Sequence, residues 1–270
     1  MRKLKHLSLF FLQTTFLSQM SLDLAEQGQN VLWGSFEIKN TRLMHKLLHQ
    51  FARQPLPTGD PTRAEQLEAI ASRFGQLPFY FLKFHGGSDI DDVLDAMEYA
   101  VYVNDCQTII LDNMQFMISR NSGNSSWDKF DVQDMAIEKF RKFATDRNVH
   151  VFLVVHPRKE QEDSKLSISS IYGSAKATQE ADTVIIIQSD SSARKKYLEI
   201  KKNRFNGDLG FAPLYFDKSS GRYSEEALVN GKTLTFSSSP LPVPSGHQKI
   251  PAASARQATN AMWLSNGIPE

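Results

Sequence analysis

Short apolar runs alternate with longer amphipathic segments through most of this 270-residue chain, and this alternation constrains the fold more than any other feature. The strand-like runs lie at 30–36, 78–84, 107–111 and 149–155, with a fifth at 183–187. Segments with helical periodicity fill the gaps, at 15–26, 40–51, 63–73, 89–103 and 129–146. Regular alternation of strands and helices is typical of βαβ units, and near-continuous apolar strands are typical of strands buried on both faces. We therefore predict an α/β fold whose mostly parallel sheet is sandwiched by helices.

The pattern changes beyond residue 194. Short strand-like runs at 197–201 and 211–216 are separated by turn signals at 206–208 and 219–221, which predicts an antiparallel meander at one edge of the sheet. From about residue 225 the chain is rich in Ser, Pro and Ala and has few large apolar residues. We predict a disordered tail over 225–270.

Composition excludes several classes of protein. The chain has 31 Lys and Arg against 30 Asp and Glu, so its net charge of +1 gives no bulk attraction for nucleic acid. Cys106 is the only cysteine, which excludes an intrachain disulfide and a cysteine-based zinc site. No apolar run approaches the ~20 residues of a membrane span. The basic, acid-free start of the chain suits a mitochondrial presequence or a signal peptide, and equally the beginning of a first helix.

Three of the predicted buried strands are followed by an ionisable residue: Glu37, Asp112 and His156. Because ligands bind outside the carboxyl ends of parallel strands, we expect these side chains along one rim of the sheet. A carboxylate in this position can hold Mg²⁺, and a second one can activate an attacking water. The alternative is that Asp112 caps a turn and Glu37 caps a helix.

One segment is strongly basic. Residues 194–204 contain six Lys and Arg against Glu199 alone, a net charge of +5. Lys202 and Arg204 would lie just beyond a strand, where an arginine can reach a phosphate bound by a neighbouring subunit. The alternative is a solvated edge strand whose lysines oppose aggregation.

Two polar loops and one missing motif are the remaining features of the sequence. The loop after His156 ends in Gly173 and Ser174, whose N–H groups would lie near a helix start and could hold phosphate. The alternative for that loop is a solvated segment of mixed charge, and the polar loop at 118–127 is equally well explained as a spacer. The only Gly-Lys-Thr, at 231–233, lacks the preceding glycine of a phosphate-binding P-loop, so we attribute it to chance.

Five motifs occur in a fixed order: WGSFEI at 33–38, ILDNMQF at 110–116, HPRK at 156–159, GSAK at 173–176 and KNRFNGD at 202–208. In these motifs the chain closely resembles the mitochondrial replicative DNA helicases of the DnaB-like hexameric family, over about 14–223. The resemblance implies a RecA-like domain of the P-loop NTPase type over 14–224. It also implies ATP and Mg²⁺ as cofactors and a homo-oligomeric, hexameric ring with ATP between its subunits. Such a ring pulls single-stranded DNA through its centre and unwinds forked DNA 5′ to 3′ in mitochondrial DNA replication, in the matrix and the nucleoid.

The resemblance also implies roles for single residues. Glu37 is similar to the carboxylate that activates water, and His156 to the sensor that links the γ-phosphate to the DNA loops. Asp112 is similar to the carboxylate that holds Mg²⁺. Lys202 and Arg204 resemble the pair inserted into a neighbouring subunit's site, with Arg204 as the arginine finger.

Two further sets of residues follow from the resemblance. Thr14 and Thr15 are the nucleotide-binding candidates, and Thr14 is the second candidate ligand of Mg²⁺. The DNA-facing loops correspond to 118–127 and 158–172. The DNA-binding candidates are Arg158, Lys159, Lys165, Gly173 and Ser174.

The chain departs from the family pattern at its start. In the family a Gly-Lys pair directly precedes Thr14, but here Phe11, Leu12 and Gln13 do, within a divergent segment 1–13. We therefore expect this chain to lack the P-loop lysine and glycines, and a primase-like N-terminal half as well. We expect this chain alone to hydrolyse ATP very poorly. The alternatives are a non-enzymatic truncated isoform that joins or modulates full-length helicase subunits, and an incomplete gene model.

Overall fold

A computed structural model describes residues 4–57, 61–118, 129–157, 165–171, 176–190, 195–224, 227–229 and 232–234. The chain forms two compact units. The first unit comprises Met1–Arg158, Ile171–Glu180 and Asp217–Tyr223, and the second unit comprises the remaining residues.

The first unit alternates helices and strands as the sequence predicts. Its elements in chain order are α1 (Leu4–Glu26), β1 (Val31–Ser35), α2 (Asn40–Ala52), α3 (Ala64–Phe74), β2 (Phe79–Phe81), α4 (Ile90–Asn104), β3 (Thr108–Asp112), α5 (Met114–Met117), α6 (Lys129–Asp146), β4 (His150–Leu153) and α7 (Lys176–Glu180). A 3₁₀ turn, Pro61–Arg63, leads into α3. The predicted bounds of α6 agree with the structure, and those of α2, α3 and α4 differ by one residue at one or both ends.

The four strands of the first unit form a parallel sheet in the order β2-β1-β3-β4. Every residue of the central strands β1 and β3 is buried, whereas β2 and β4 at the edges are half-buried. The prediction that the strands are buried on both faces is therefore correct for the centre of the sheet. It is wrong for β2 and β4, because each has a neighbouring strand on one side only. The RecA-like α/β fold class is confirmed.

Apolar side chains cover both faces of this sheet. On one face Leu32 and Ile109 belong to a core cluster with residues of α4 and α6, including Met97 and Phe140. Alternate strand residues point the other way. Trp33 is fully buried, and its indole nitrogen donates a hydrogen bond of 3.1 Å to the Ser21 hydroxyl of α1. The sheet is thus a rigid platform between two helical layers.

Two elements of the first unit differ from the sequence prediction. Helix α1 begins at Leu4 rather than at residue 15, in agreement with the alternative that the basic start of the chain is the beginning of a first helix; the segment contains neither glycine nor proline. Helix α5 was not predicted, because its single turn is too short to show helical periodicity.

The second unit contains an antiparallel sheet. Strands β5 (Thr183–Asp190), β6 (Lys195–Asn203) and β7 (Gly210–Asp217) pair in that order, with a bulge between Val184 and Ile185. The interpretation of 183–187 as a fifth strand of the parallel sheet is wrong, because β5 pairs antiparallel with β6, and the predicted meander is an antiparallel sheet. Only four residues join β5 to β6, which makes them a hairpin, whereas a parallel pair needs a long crossover.

The remaining described elements are short. Ile168–Ser170 forms a 3₁₀ turn, and Arg222–Ser224 forms β8. Strands β9 (Ala227–Val229) and β10 (Lys232–Leu234) form an antiparallel pair inside the segment predicted as a disordered tail. Residues 235–270 lie outside the described residues, so the disorder of that segment stays a prediction. In the described part of the chain, no helix combines the length and the apolar character that crossing a membrane requires.

Candidate active site

The carboxyl ends of three neighbouring strands of the parallel sheet bring the predicted strand-end residues to one rim. Asp112 is the last residue of β3, Glu37 follows β1 by two residues, and His156 follows β4 by three. The Glu37 carboxylate lies 3.5 Å from Nε2 of His156. The structure therefore places the Glu37 carboxylate beside the His156 imidazole. The buried Asp112 lies at the end of β3, the strand between β1 and β4.

Asn113 connects the acid to the histidine. Its fully buried side-chain nitrogen donates hydrogen bonds to Oε2 of Glu37, at 2.5 Å, and to Nε2 of His156, at 3.0 Å. Its side-chain oxygen accepts a hydrogen bond from the backbone N–H of Phe116, at 3.0 Å. The amide thus uses both of its hydrogens and its oxygen, which fixes the two partners relative to the sheet.

A second group of contacts surrounds Asp112. The Thr14 hydroxyl donates to Oδ2 of Asp112 at 2.5 Å, and both side chains are buried. On the adjacent helix α2, Nζ of Lys46 donates to the Thr15 hydroxyl at 2.8 Å, and the Gln50 side chain donates to the Thr15 carbonyl at 3.1 Å. Helices α1 and α2 therefore meet beside the end of β3.

Burial shifts the pKa values of the ionisable groups at this rim. It raises the pKa of Asp112 to about 6; the hydrogen bond from Thr14 opposes this rise, the charge of Glu37 adds to it, and the charge of Lys46 opposes it. Burial also raises the pKa of Glu37, against the hydrogen bond from Asn113. It lowers the pKa of His156 to about 4, so the imidazole is neutral at pH 7 and its Nε2 can accept the Asn113 hydrogen.

Neither capping alternative describes the two carboxylates. The residue that caps α5 is Asn113, not Asp112. The N-cap position of α2 is occupied by Lys39, and no side chain accepts a capping hydrogen bond there. Glu37 and Asp112 instead face the histidine and the threonine described above, so a structural capping role does not account for them.

The predicted nucleotide-binding residues Thr14 and Thr15 lie inside α1, ten or more residues from its first residue. Backbone N–H groups in a helix interior donate to carbonyls one turn earlier. In a P-loop such N–H groups stand at a helix start and point at phosphate. The backbone of α1 at these positions therefore does not form a phosphate cradle, in agreement with the missing glycines.

The side chains at this rim are a better match to a metal ion. Asp112 and Thr14 present the carboxylate and hydroxyl oxygens that Mg²⁺ prefers. Within the described ranges, no group of three or more His, Cys, Asp and Glu side chains could hold a metal without further ligands. Any Mg²⁺ at Asp112 would therefore take its other ligands from water or a nucleotide.

The predicted trans-acting pair lies in the second unit. Lys202 is in β6 and Arg204 follows it in the turn. The Arg204 guanidinium is half-exposed and donates to Oδ1 of Asp182 at 3.1 Å, while its backbone N–H donates to the Asp182 carbonyl. Since β6 pairs with β5 on one side and β7 on the other, the solvated-edge alternative is wrong.

One DNA-binding candidate is described. Lys165 forms an ion pair of 3.0 Å with the buried Glu199, which also accepts from Lys201 at 2.8 Å. Four candidates and most of both predicted DNA-facing loops lie outside the described residues: Arg158, Lys159, Gly173 and Ser174. The roles assigned to all of these residues stay predictions.

Sequence reasoning overlooked two residues of this rim, Asn113 and Lys46. Asn113 comes directly after Asp112, so the strand-end rule that identified Asp112 could have included it. Lys46 lies three residues after Leu43 and four before Gln50, both of which are buried. A lysine on the buried face of an amphipathic helix is unusual and was the available signal.

The chain is similar to known proteins in sequence and in fold. The model of the AAA domain family matches residues 12–162. The chain is 23% identical over 169 residues to a DNA helicase/primase of Enterobacteria phage T3, covering 59% of this chain and 29% of that protein. It is 22% identical over 213 residues to a Twinkle homolog protein, chloroplastic/mitochondrial, of Arabidopsis thaliana, covering 73% and 30%. The chain thus spans less than a third of the length of these relatives.

Two solved structures share the fold. One of them, an ATPase domain, superimposes with a TM-score of 0.67 at 13% identity, over 78% of this chain and 79% of that chain. A DnaB-like replicative helicase, solved with its interactions with primase, gives 0.63 at 14%, over 74% and 52%.

The parallel sheet between its helical layers has the RecA-like fold. The match over residues 12–162 shows that the chain belongs to the AAA domain family.

Proposed function

We propose that this chain is the ATP-hydrolysing domain of a mitochondrial replicative DNA helicase of the Twinkle type. The observation that carries this proposal is the hydrogen-bonded group of Glu37, Asn113 and His156 at the ends of β1, β3 and β4, beside Asp112. A carboxylate held in place at this rim can act as the general base for the water that attacks a bound nucleoside triphosphate.

Each residue of the group has a distinct role in the proposal. Glu37 accepts a proton from the attacking water, and its raised pKa makes it a stronger base than an exposed carboxylate. Asn113 holds the carboxylate in place. His156 is neutral at pH 7 and responds to the occupied site through the same amide.

Two groups of the proposal come from outside the chain. ATP supplies the phosphoryl group that is transferred to water, and Mg²⁺ neutralises its charge. Asp112 and Thr14 are the residues that would hold Mg²⁺, because their carboxylate and hydroxyl oxygens lie side by side and are of the type that Mg²⁺ prefers. The P-loop amides that usually hold the phosphates are not replaced by α1.

The wider activity is also a proposal, supported by the relatives' names and by the five sequence motifs. It comprises a hexameric ring, binding of single-stranded and forked DNA, 5′ to 3′ unwinding, and action in the mitochondrial matrix and nucleoid. Arg204 would complete the site of a neighbouring subunit, for which a half-exposed guanidinium on a turn is suitable. DNA contacts would come from local basic loops, since the net charge is only +1.

The test compares the chain with its Glu37→Gln variant in ATP hydrolysis, with and without single-stranded DNA. We expect slow turnover that DNA stimulates and that the variant loses. Gln keeps the shape of the side chain and its contact with Asn113 but cannot accept a proton. Turnover that persists in Glu37→Gln at the wild-type rate refutes the role of Glu37.

A second candidate function is a non-hydrolysing subunit that enters a ring of full-length helicase. It is favoured by one observation, the uninterrupted helix that runs through Thr14 and Thr15. Such a subunit would still offer Arg204 to a neighbour. Titrating this chain into a full-length helicase separates the two: a change in ring activity that Arg204→Ala removes supports it, and unchanged activity counts against it.

A further inference from the structure

We infer that Lys46 supplies the positive charge that meets the phosphates of a bound nucleotide in this chain. The inference rests on the proposed function, since it assigns a residue to the same site. It starts from a positive charge that the residue directly before Thr14 does not supply. Triphosphate binding needs a cation beside the β- and γ-phosphates, and the position directly before Thr14 holds the neutral Gln13.

Lys46 lies near the carboxyl ends of the parallel strands, where a nucleotide would bind. Its ammonium contacts the hydroxyl of Thr15 at 2.8 Å, and its charge acts on the carboxylate of Asp112. Thr14, which bonds Asp112, precedes Thr15 directly. Lys46 therefore belongs to the same cluster as the two candidate Mg²⁺ ligands, although it comes from a different helix.

The burial of this cluster is uneven. Thr14, Thr15 and Asp112 are buried, with 4%, 6% and 2% of their surface exposed, whereas Lys46 is half-buried. Lys46 is thus the member of the cluster that a ligand can reach from solvent. An ammonium has three hydrogens, and the described contact with Thr15 uses one of them.

A purely structural role explains Lys46 less well. Holding a lysine in a partly buried position costs free energy, because burial disfavours its charged form and lowers its pKa, and the charge of Asp112 offsets only part of this effect. The bond to Thr15 joins α1 to α2, but Gln50 already bonds the Thr15 carbonyl at the same place. A methionine of similar length would fill the space without that cost.

The first experiment measures Mg²⁺-ATP binding by calorimetry to the wild-type chain, to Lys46→Met and to Lys142→Met. Lys142 is an exposed lysine of α6 and serves as the matched control. We expect Lys46→Met to weaken ATP binding by roughly 10- to 100-fold, the usual loss for one hydrogen bond to a charged group. Lys142→Met binds like the wild type.

The second experiment needs no variant. Acetylation of lysines in the wild-type chain is followed by mass spectrometry, with ATP, with adenosine and without ligand. We expect ATP but not adenosine to protect Lys46, because the contact is to phosphate, and neither to protect Lys142. This readout decides the question if Lys46→Met does not fold.

The outcomes distinguish a failure of the role of Lys46 from a failure of the proposed function. Wild-type binding that is unchanged in Lys46→Met, or ATP binding without protection of Lys46, overturns the role of Lys46 and leaves the proposed function standing. No ATP binding by the wild-type chain overturns both. A lower melting temperature of Lys46→Met with unchanged ATP affinity assigns the lysine to structure and also overturns the inference.

Discussion

Replacing Asn113 by alanine tests whether one buried amide organises the active site. The substitution removes three hydrogen bonds: those to Glu37 and His156 and the cap of α5. Loss of a helix cap costs about 1 kcal/mol. Leaving a partly buried carboxylate without its donor costs about 1–3 kcal/mol. Since a quarter of the Glu37 side chain is exposed and water can replace part of the bond, we expect a total of about 2–3 kcal/mol.

Equilibrium unfolding in urea measures this loss as a lower transition midpoint with an unchanged slope. Asn104→Ala, at the end of α4, is the control: the hydrogen bond that Asn104 accepts from Asn30 uses its backbone carbonyl and survives the substitution. We expect this control to stay within about 0.5 kcal/mol of the wild type. An Asn113→Ala midpoint as close to the wild type as that of the control would refute the reasoning.

Three further predictions concern the first unit. Burial lowers the pKa of His156 from 6.5 to about 4, so as the pH falls through this range the unfolded chain is protonated first and this histidine costs the fold up to about 3 kcal/mol. The raised pKa of Asp112 acts in the opposite direction, so the prediction concerns a difference between two proteins: in urea titrations the stability of His156→Gln relative to the wild type should rise as the pH falls, and a difference that does not change with pH would contradict this. His85→Gln, at an exposed site, is the control. Burial raises the pKa of the single thiol, Cys106, to about 12, so a thiol reagent should label the native protein far more slowly than the urea-unfolded chain; equal rates would contradict this. A Cβ at Gly34 would lie 2.9 Å from a methyl carbon of Leu111, so Gly34→Ala should lower the free energy of unfolding by about 1–3 kcal/mol in the same assay. An unchanged free energy of unfolding would contradict this and would mean that the neighbouring side chains move to make room for the methyl group.

The sequence was most informative where periodicity reports burial. Long amphipathic helices such as α2 and α6, and the central strands β1 and β3, were predicted with bounds within one or two residues. The same rule identified Glu37, Asp112 and His156, because the carboxyl end of a parallel strand can be located from the strand itself.

Pairing partners and side-chain networks were less predictable. The run at 183–187 is as apolar as a central parallel strand, and only the short link to β6 makes it a hairpin. Nothing in the sequence distinguishes Asn113 from other polar residues. Its role follows from the fold, which places its amide between Glu37 and His156. Apolar periodicity located α1 only from residue 15, and the sequence left open whether the basic start of the chain is a targeting segment or the beginning of this helix; Leu4–Glu26 has no residue that stops a helix.

The most direct test of the account is the rate of ATP hydrolysis by the purified chain at saturating ATP, Mg²⁺ and single-stranded DNA, measured beside Glu37→Gln. The account predicts slow turnover that DNA stimulates and that Glu37→Gln abolishes. Equal turnover in both proteins would contradict the role of Glu37. Complete absence of turnover in the wild-type chain would contradict hydrolysis by this domain and favour the non-hydrolysing subunit.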